Sequence, residues 1–376
     1  MKKFKLFFSC VIAGSILLSN SCGKNETENA TIQKENPANA DEASLLLDFI
    51  SKTGDIINSD NFPFAITADE VSEEMTDIVV IDIRDSNAYI AGHIDGAILV
   101  DAKELPAFLE NKVNLANYNK VVIACNSGQS SSYYVALLRM VGYANIYSLR
   151  FGMAGWSKKL SPNKIIDNLS NKFAGILETK IDVADKKYEF PAIKTGQTGG
   201  YGILISRVNS LFEEGYDKFR LKVDTLVQYA DKYFIVNYWA EEDYSKGHLP
   251  GTYQFTPKQS LKKDKLLNSL PTDKPIAVYC SNGQQSAAVV AYLRVLGYDA
   301  FNVAFGTNGF MHSFMQSNLG KSFVPSENIA DYPMVEGINP GLQTSPIEGN
   351  TIQSAEKETK APPLKKKKKN SSGGGC

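Results

Sequence analysis

The stretch Lys120-Val121-Val122-Ile123-Ala124-Cys125-Asn126-Ser127-Gly128-Gln129-Ser130-Ser131 holds a strand, a loop and the first turn of a helix. Val121 to Ala124 is apolar and largely β-branched, the pattern of a strand buried on both faces. Ser130 to Val141 predicts a helix, with Val135, Leu138 and Val141 on one face and Gly142 as its stop. Ile78 to Ile83 upstream predicts a second buried strand, and Ile146 to Leu149 downstream a third. Strand, glycine-bearing loop, helix and strand in this order specify an α/β unit built on a parallel sheet.

The pattern occurs twice. Cys125 and Cys280 lie 155 positions apart (280 − 125), and so do His93 and His248 (248 − 93). The same offset pairs Gly128 with Gly283, Ser131 with Ser286, Arg139 with Arg294, Phe64 with Phe219 and Ile50-Ser51 with Ile205-Ser206. In the second copy Pro275 to Tyr279 leads into Cys280, and Gln285 to Leu296 predicts the matching helix. Two copies are too few for a solenoid, and each is long enough for a domain with its own core. The chain thus divides into 1–22, 23–43, a first domain at 44–160, a linker at 161–198, a second domain at 199–316 and a tail at 317–376. Gly196, Gly199 and Gly200 mark the linker as flexible. The tail loses periodicity, is Lys- and Gly-rich towards its end, and reads as extended and largely disordered.

The 376 residues are 43% hydrophobic and 22% charged, with a formal net charge of -1, which gives no reason to expect nucleic acid as a partner. Three histidines and five scattered cysteines supply neither a zinc ligand set nor a disulfide scaffold, so no metal is expected. At the N-terminus, Lys2, Lys3 and Lys5 precede a short apolar run from Phe7 to Leu18. Leu18-Ser19-Asn20-Ser21-Cys22-Gly23 resembles a bacterial lipobox, although Asn20 departs from its tightest form. That resemblance implies lipidation at Cys22, a tether from 23 to 43, and a membrane-anchored lipoprotein of the cell envelope, facing the periplasm or the cell surface.

A cysteine at the carboxyl end of a buried strand and the head of a helix sits where open α/β sheets bind ligands. Free backbone N–H groups and the helix dipole favour negative charge there. Gly128 and Gly283 let each loop curl into an anion nest. The candidate loops are Cys125, Asn126, Ser127, Gly128, Gln129, Ser130 and Ser131, and Cys280, Ser281, Asn282, Gly283, Gln284, Gln285 and Ser286. A nucleophilic thiol in a cradle of donors suits covalent chemistry on sulfur. It also suits phosphate esters, but a phosphatase loop needs an arginine to hold the equatorial oxygens, and the sixth position after each cysteine is a serine.

Both copies resemble rhodanese (sulfurtransferase) domains, over roughly 64–157 and 219–311. In the first copy the matching residues are Asp82-Ile83-Arg84, Tyr89, Gly92 to Ala97, Cys125-x-x-Gly128-x-x-Ser131, Arg139, Gly142-Tyr143 and Gly152 to Trp156. In the second they are Tyr244, Gly247 to Gly251, Cys280-x-x-Gly283-x-x-Ser286, Arg294, Gly297-Tyr298 and Gly306. The resemblance implies two tandem domains, each a central parallel sheet flanked by helices, with Cys125 and Cys280 as catalytic residues. They would accept sulfane sulfur from a polysulfide, persulfide or thiosulfate and pass it to a thiol, with no cofactor. The alternative is a non-catalytic rhodanese-fold binding module in an envelope complex, with a protein partner.

The second copy departs from the pattern: Asn237 and Trp239 stand where the first has Asp82 and Arg84. Neither loop carries a cation, so thiosulfate is expected to be a poor donor, improved by Gln129→Arg or Gln284→Arg. His93, His248 and Arg84 read as structural. Ser131 and Ser286 read as helix caps, with donation to the cysteine sulfur the lesser alternative. Cys376, after three glycines, is a candidate mobile thiol, an attachment point, a partner in an intermolecular disulfide, or without a role.

Overall fold

The computed structural model describes residues 41–113 and 117–338. Cys22, Cys376, the tether up to residue 40 and the tail from 339 lie outside the described residues. No described helix is long and apolar enough to cross a membrane.

The first repeat runs α1 (Glu42–Thr53), β1 (Ala65–Ile66), α2 (Ala68–Glu73), β2 (Ile78–Asp82), α3 (Ser86–Ile90), β3 (Ile98–Leu99), α4 (Leu105–Asn111), β4 (Lys120–Ala124), α5 (Gln129–Met140), β5 (Ile146–Leu149) and α6 (Gly152–Trp156). The second runs α7 (Gly200–Glu214), β6 (Arg220–Leu221), α8 (Val223–Gln228), β7 (Phe234–Asn237), α9 (Glu241–Tyr244), β8 (Thr252–Gln254), β9 (Ile276–Tyr279), α10 (Gln284–Val295) and β10 (Ala300–Val303), followed by α11 (His312–Leu319) and α12 (Pro325–Asn328). The sheets have orders β1-β5-β4-β2-β3 and β6-β10-β9-β7-β8, position for position the same, and every pairing is parallel. Strand β2 is buried along its whole length, because helices cover both faces. Side chains set the helix starts: Asp41 caps α1, Thr67 and Glu70 form a capping box on α2, and Asp85 caps α3.

The two repeats do not have separate cores. Helix α5 buries Ser131 to Leu138 without a break, and α10 buries Ser286 to Leu293. One apolar stripe would suffice for a helix on its own sheet; burial all round means a second neighbour. Each is the other's neighbour, and a continuous core runs from Ile81 and Val121 through Tyr133, Leu137 and Leu293 to Val278. Helices α1 and α7 pack alongside. Gly200, expected to mark a flexible stretch, is instead a close approach: a Cβ there would overlap Phe49 and the Leu45 carbonyl.

The connecting segments are exchanged. The chain leaving α6 crosses to the second repeat, where Ser170 and Phe173 donate N–H bonds to the Asn308 and Phe310 carbonyls at 3.0 and 3.1 Å, and Glu178 pairs with His248. The chain leaving α11 returns to the first repeat. Ala330 and Tyr332 bond the Gly155 and Trp156 carbonyls, both at 2.9 Å, and Val335 pairs with His93. Residues 317–338, expected to belong to a disordered tail, are therefore folded. Phe323 is buried against Phe151, and Trp156 donates its ring N–H to the Pro333 carbonyl at 3.0 Å. Apolar side chains set among prolines and serines hold this strap without helical or strand periodicity.

Candidate active site

Cys125 follows β4 directly. Gly128, at φ 81°, turns the loop back so that its N–H reaches Cys125 Sγ at 3.1 Å. Ser131 contributes its N–H at 3.4 Å and its hydroxyl at 3.2 Å. Ser131 therefore does not cap α5; the cap is Gly128, and the Ser131 hydroxyl sits between Cys125 Sγ and Ser148 Oγ, 2.7 Å from the latter. The first amides of α6 hold the loop from behind: Met153 and Ala154 donate to the Cys125 and Asn126 carbonyls at 2.8 and 3.0 Å. A side chain at Gly152 would overlap the Cys125 carbonyl, which explains this glycine in the repeat pattern.

Cys280 repeats the frame with different contents. Ser286 approaches its Sγ with the hydroxyl at 3.3 Å and the N–H at 3.4 Å. The Cys280 thiol points to Asn282 Oδ1 at 3.8 Å, and that same oxygen accepts the Gln284 N–H at 3.0 Å. Asn302 replaces Ser148: it accepts from Ser286 at 2.6 Å and donates to the Tyr216 hydroxyl at 2.6 Å. Burial holds the Tyr216 phenol far above its ordinary value, so it stays protonated. Thr307 and Asn308 hold the loop as Met153 and Ala154 do, donating to the Cys280 and Ser281 carbonyls at 2.9 and 3.0 Å.

A cleft of about 540 Å³ opens in front of Cys125, which lines it together with Asn126, Ser127, Gln129 and Ser130. Tyr216, Arg220 and Phe305 of the second repeat complete the wall, with Lys164 of the connection. A cleft of about 700 Å³ faces the Cys280 loop, lined by Ser281, Asn282, Gln284 and Gln285 but not by the cysteine itself. Arg150 and Lys321 stand in its wall. The loops carry no cation, as their sequence says, but the clefts before them do. The cations come from β-strand ends and connections far away in sequence, where no motif marks them.

The two loops interlock. Gln129 Oε1 accepts the Phe305 N–H at 2.9 Å, and Gln284 Oε1 accepts the Phe151 N–H at 3.3 Å. A Cβ on Gly128 would meet Gln284 at 2.7 Å, and one on Gly283 would meet Gln129 at 2.5 Å. These glutamines line the clefts and also bridge the repeats, so an arginine at either position would break the bridge.

The remaining motif residues brace the loops. Asp82 and Arg84 form an ion pair at 2.6 Å with side chains 0% and 1% exposed, and Arg84 also donates to the Gly92 carbonyl at 2.7 Å. His93 and His248 stack on Tyr89 and Tyr244 at 3.7 and 3.6 Å and bond those tyrosines' carbonyls through Nδ1. Neither imidazole lines either cleft.

The model of the rhodanese-like domain matches residues 67–159 and again 226–313. Thiosulfate sulfurtransferase GlpE of Pseudomonas entomophila is 38% identical over 78 residues, 21% of this chain and 69% of that protein. This chain belongs to the rhodanese-like family. The GlpE of Pseudoalteromonas translucida is 31% identical over 86 residues, 23% of this chain and 78% of that protein. Among solved structures, thiosulfate sulfurtransferase from Pseudomonas aeruginosa is 17% identical, with 69% of this chain and 45% of that one covered at a TM-score of 0.25. The two sheets with their interlocked cysteine loops are thus two tandem rhodanese-like domains.

Proposed function

We propose that the protein is a sulfurtransferase that carries sulfane sulfur as a persulfide on Cys125 and, less readily, on Cys280. The observation that carries this reading is the Cys125 sulfur itself, which meets two backbone N–H groups and one hydroxyl and opens onto a cleft. The Cys125 thiolate attacks the outer sulfur of the donor. The donor's S–S bond breaks, its electron pair leaves with the donor remainder, which is sulfite when the donor is thiosulfate, and Cys125 keeps one sulfur as Cys–S–S⁻. An acceptor thiolate then attacks that terminal sulfur, leaves as its own persulfide and regenerates the Cys125 thiolate. The same donors that meet Sγ are placed to stabilise the charge on the added sulfur. A low-charge donor such as a polysulfide needs nothing more, and the acceptor is a thiol small enough for the cleft.

The Cys280 site favours a supporting role for the second domain, because both cysteines are buried but only Cys125 lines the cleft before it. With Cys22 lipidated, the enzyme would work at the bacterial cell envelope, where a lipid chain contributes about 0.8 kcal/mol per buried CH₂. Intact mass of the protein after polysulfide treatment tests the chemistry. One added sulfur on Cys125, lost to dithiothreitol and absent from Cys125→Ser, is the expected result. No adduct would leave a binding module. Cell fractionation of Cys22→Ala tests the anchor, with release from membranes expected.

A further inference from the structure

We infer that Lys164 and Arg220 form an anion subsite for the donor of Cys125, supplied from outside the rhodanese loop and in large part by the other domain. The inference rests on the sulfurtransferase reading above and names the charge of the substrate.

Arg220 opens β6 of the second domain, and Lys164 lies in the connection after α6; both line the Cys125 cleft. Lys164 is half-buried and takes part in no ion pair among the described residues. Arg220 has one long contact, Nη1 to Asp217 Oδ1 at 3.4 Å, with the aspartate side chain 91% exposed. Its fork therefore keeps most of its donors free for a ligand. The other acid of the wall, Asp85, is occupied in accepting the Ala88 N–H at 2.9 Å as the cap of α3. Arg84 is held by Asp82 and cannot turn to a ligand without leaving a buried carboxylate unpaired. The unpaired Lys164 and the weakly paired Arg220 thus line the same cleft as Cys125, on whose Sγ the N–H groups at the head of α5 gather. A sulfonate-like group placed between them presents its outer sulfur to the cysteine and leaves as sulfite when the S–S bond breaks.

The duplication provides an internal control. The two edge strands β1 and β6 are equivalent, and the residue of β1 standing for Arg220 is Ala65, which lines the Cys280 cleft. The cations there are Lys321, already paired with Asp243, and Arg150, but Cys280 does not line that cleft, so an anion held by Arg150 would not meet its sulfur. The anion subsite is a property of the Cys125 cleft and exists only when the two domains are docked.

Alkylation kinetics test the charge independently of sulfur transfer. On the full chain, the rate of Cys125 modification by anionic iodoacetate is divided by that for neutral iodoacetamide, read by peptide mass spectrometry at Cys125. Lys164→Ala with Arg220→Ala should lower that ratio about tenfold, the effect of losing roughly one charge-assisted contact. Arg220→Lys should recover part of the ratio, and Lys246→Ala, just after helix α9 and away from the cleft, should leave it unchanged. Persulfide loading of Cys125 from thiosulfate should fall in parallel. An unchanged alkylation ratio in the double variant overturns the subsite. A lowered ratio in a protein that never loads sulfur upholds the subsite and refutes the sulfurtransferase reading instead.

Discussion

The two domains have the same strand order, the same loop geometry and the same pair of glycines behind the cysteine, yet their sites have diverged at the strand ends. At the end of β2 stands a buried ion pair, Asp82 with Arg84; at the end of β7 stand the neutral Asn237 and Trp239, and the Trp239 ring N–H finds no hydrogen-bond partner among the described residues. Behind one cysteine lies Ser148, behind the other Asn302. One sulfur faces a cleft, and the other is walled off from it. Shared burial of α5 against α10 explains how this divergence was tolerated. Most of the apolar surface that holds each domain is common to both, so a change in a loop leaves the fold standing.

The sharpest way to break this comparison is to remove each nucleophile in turn. Cys125→Ser should abolish persulfide formation at the first site and lower turnover by orders of magnitude, whereas Cys280→Ser should leave most of it. Steady-state sulfur transfer from polysulfide to a thiol measures both. Equal losses would mean that the burial of Cys280 does not limit its access.

The next contrast is energetic. Asp82→Ala leaves Arg84 charged and buried without a partner, and should cost about 3–5 kcal/mol. Asn237→Ala removes a neutral amide and strands no charge, and should cost about 1 kcal/mol or less. Urea unfolding of the full chain compares them, and the shared core predicts a single transition for both variants. Two separate transitions would contradict the shared core. The interlocked glutamines give a finer measure. Gln129→Ala strands the Phe305 N–H and should cost about 1 kcal/mol, more than Gln284→Ala, whose bond is longer at 3.3 Å.

Much of this architecture was legible because the repeat supplied its own alignment. The 155-residue offset placed both cysteines, both loop glycines and both helices, and the parallel sheets followed from the apolar runs before them. The offset becomes 154 beyond the helices, at Phe151 and Phe305 (305 − 151), which both adopt positive φ before the glycine that clears the loop. Four features escaped. Ser131 looked like a cap because serine at a helix start usually is one, but the glycine-led turn puts its hydroxyl on the sulfur. The common core was hidden because α5 meets the second domain through Tyr133 and Tyr134, which pack on Tyr216, Phe219 and Phe212 and whose hydroxyls blur the apolar pattern. The exchanged straps have no period to read, only scattered apolar residues such as Phe323 and Tyr332. Lys164 and Arg220 meet Cys125 through docking of the domains, a long-range consequence that local pattern does not encode.

The smallest predicted effect concerns a buried carboxyl group where the chain leaving α1 meets α10. Asp55, after α1, lies against Tyr292 of α10, whose hydroxyl is 3.5 Å from Oδ2. The position on α5 that matches Tyr292 is the buried Leu137, which has no hydroxyl to offer. Asn58 donates to Asp55 Oδ2 at 2.6 Å, but Oδ1 has no partner among the described residues. Burial outweighs these bonds and raises the carboxyl above its ordinary value of 3.8. The folded protein therefore holds this proton more tightly than the unfolded chain. Its contribution to stability is full below the unfolded value and is lost as pH rises through the raised folded value. Asp55→Asn keeps the shape and removes the titration. The variant should gain stability relative to the wild type on going from about pH 3 to about pH 7, by urea unfolding at each pH. A difference between the two proteins that does not change with pH would mean that water reaches Oδ1 and that Asp55 titrates alike in the folded and unfolded chain.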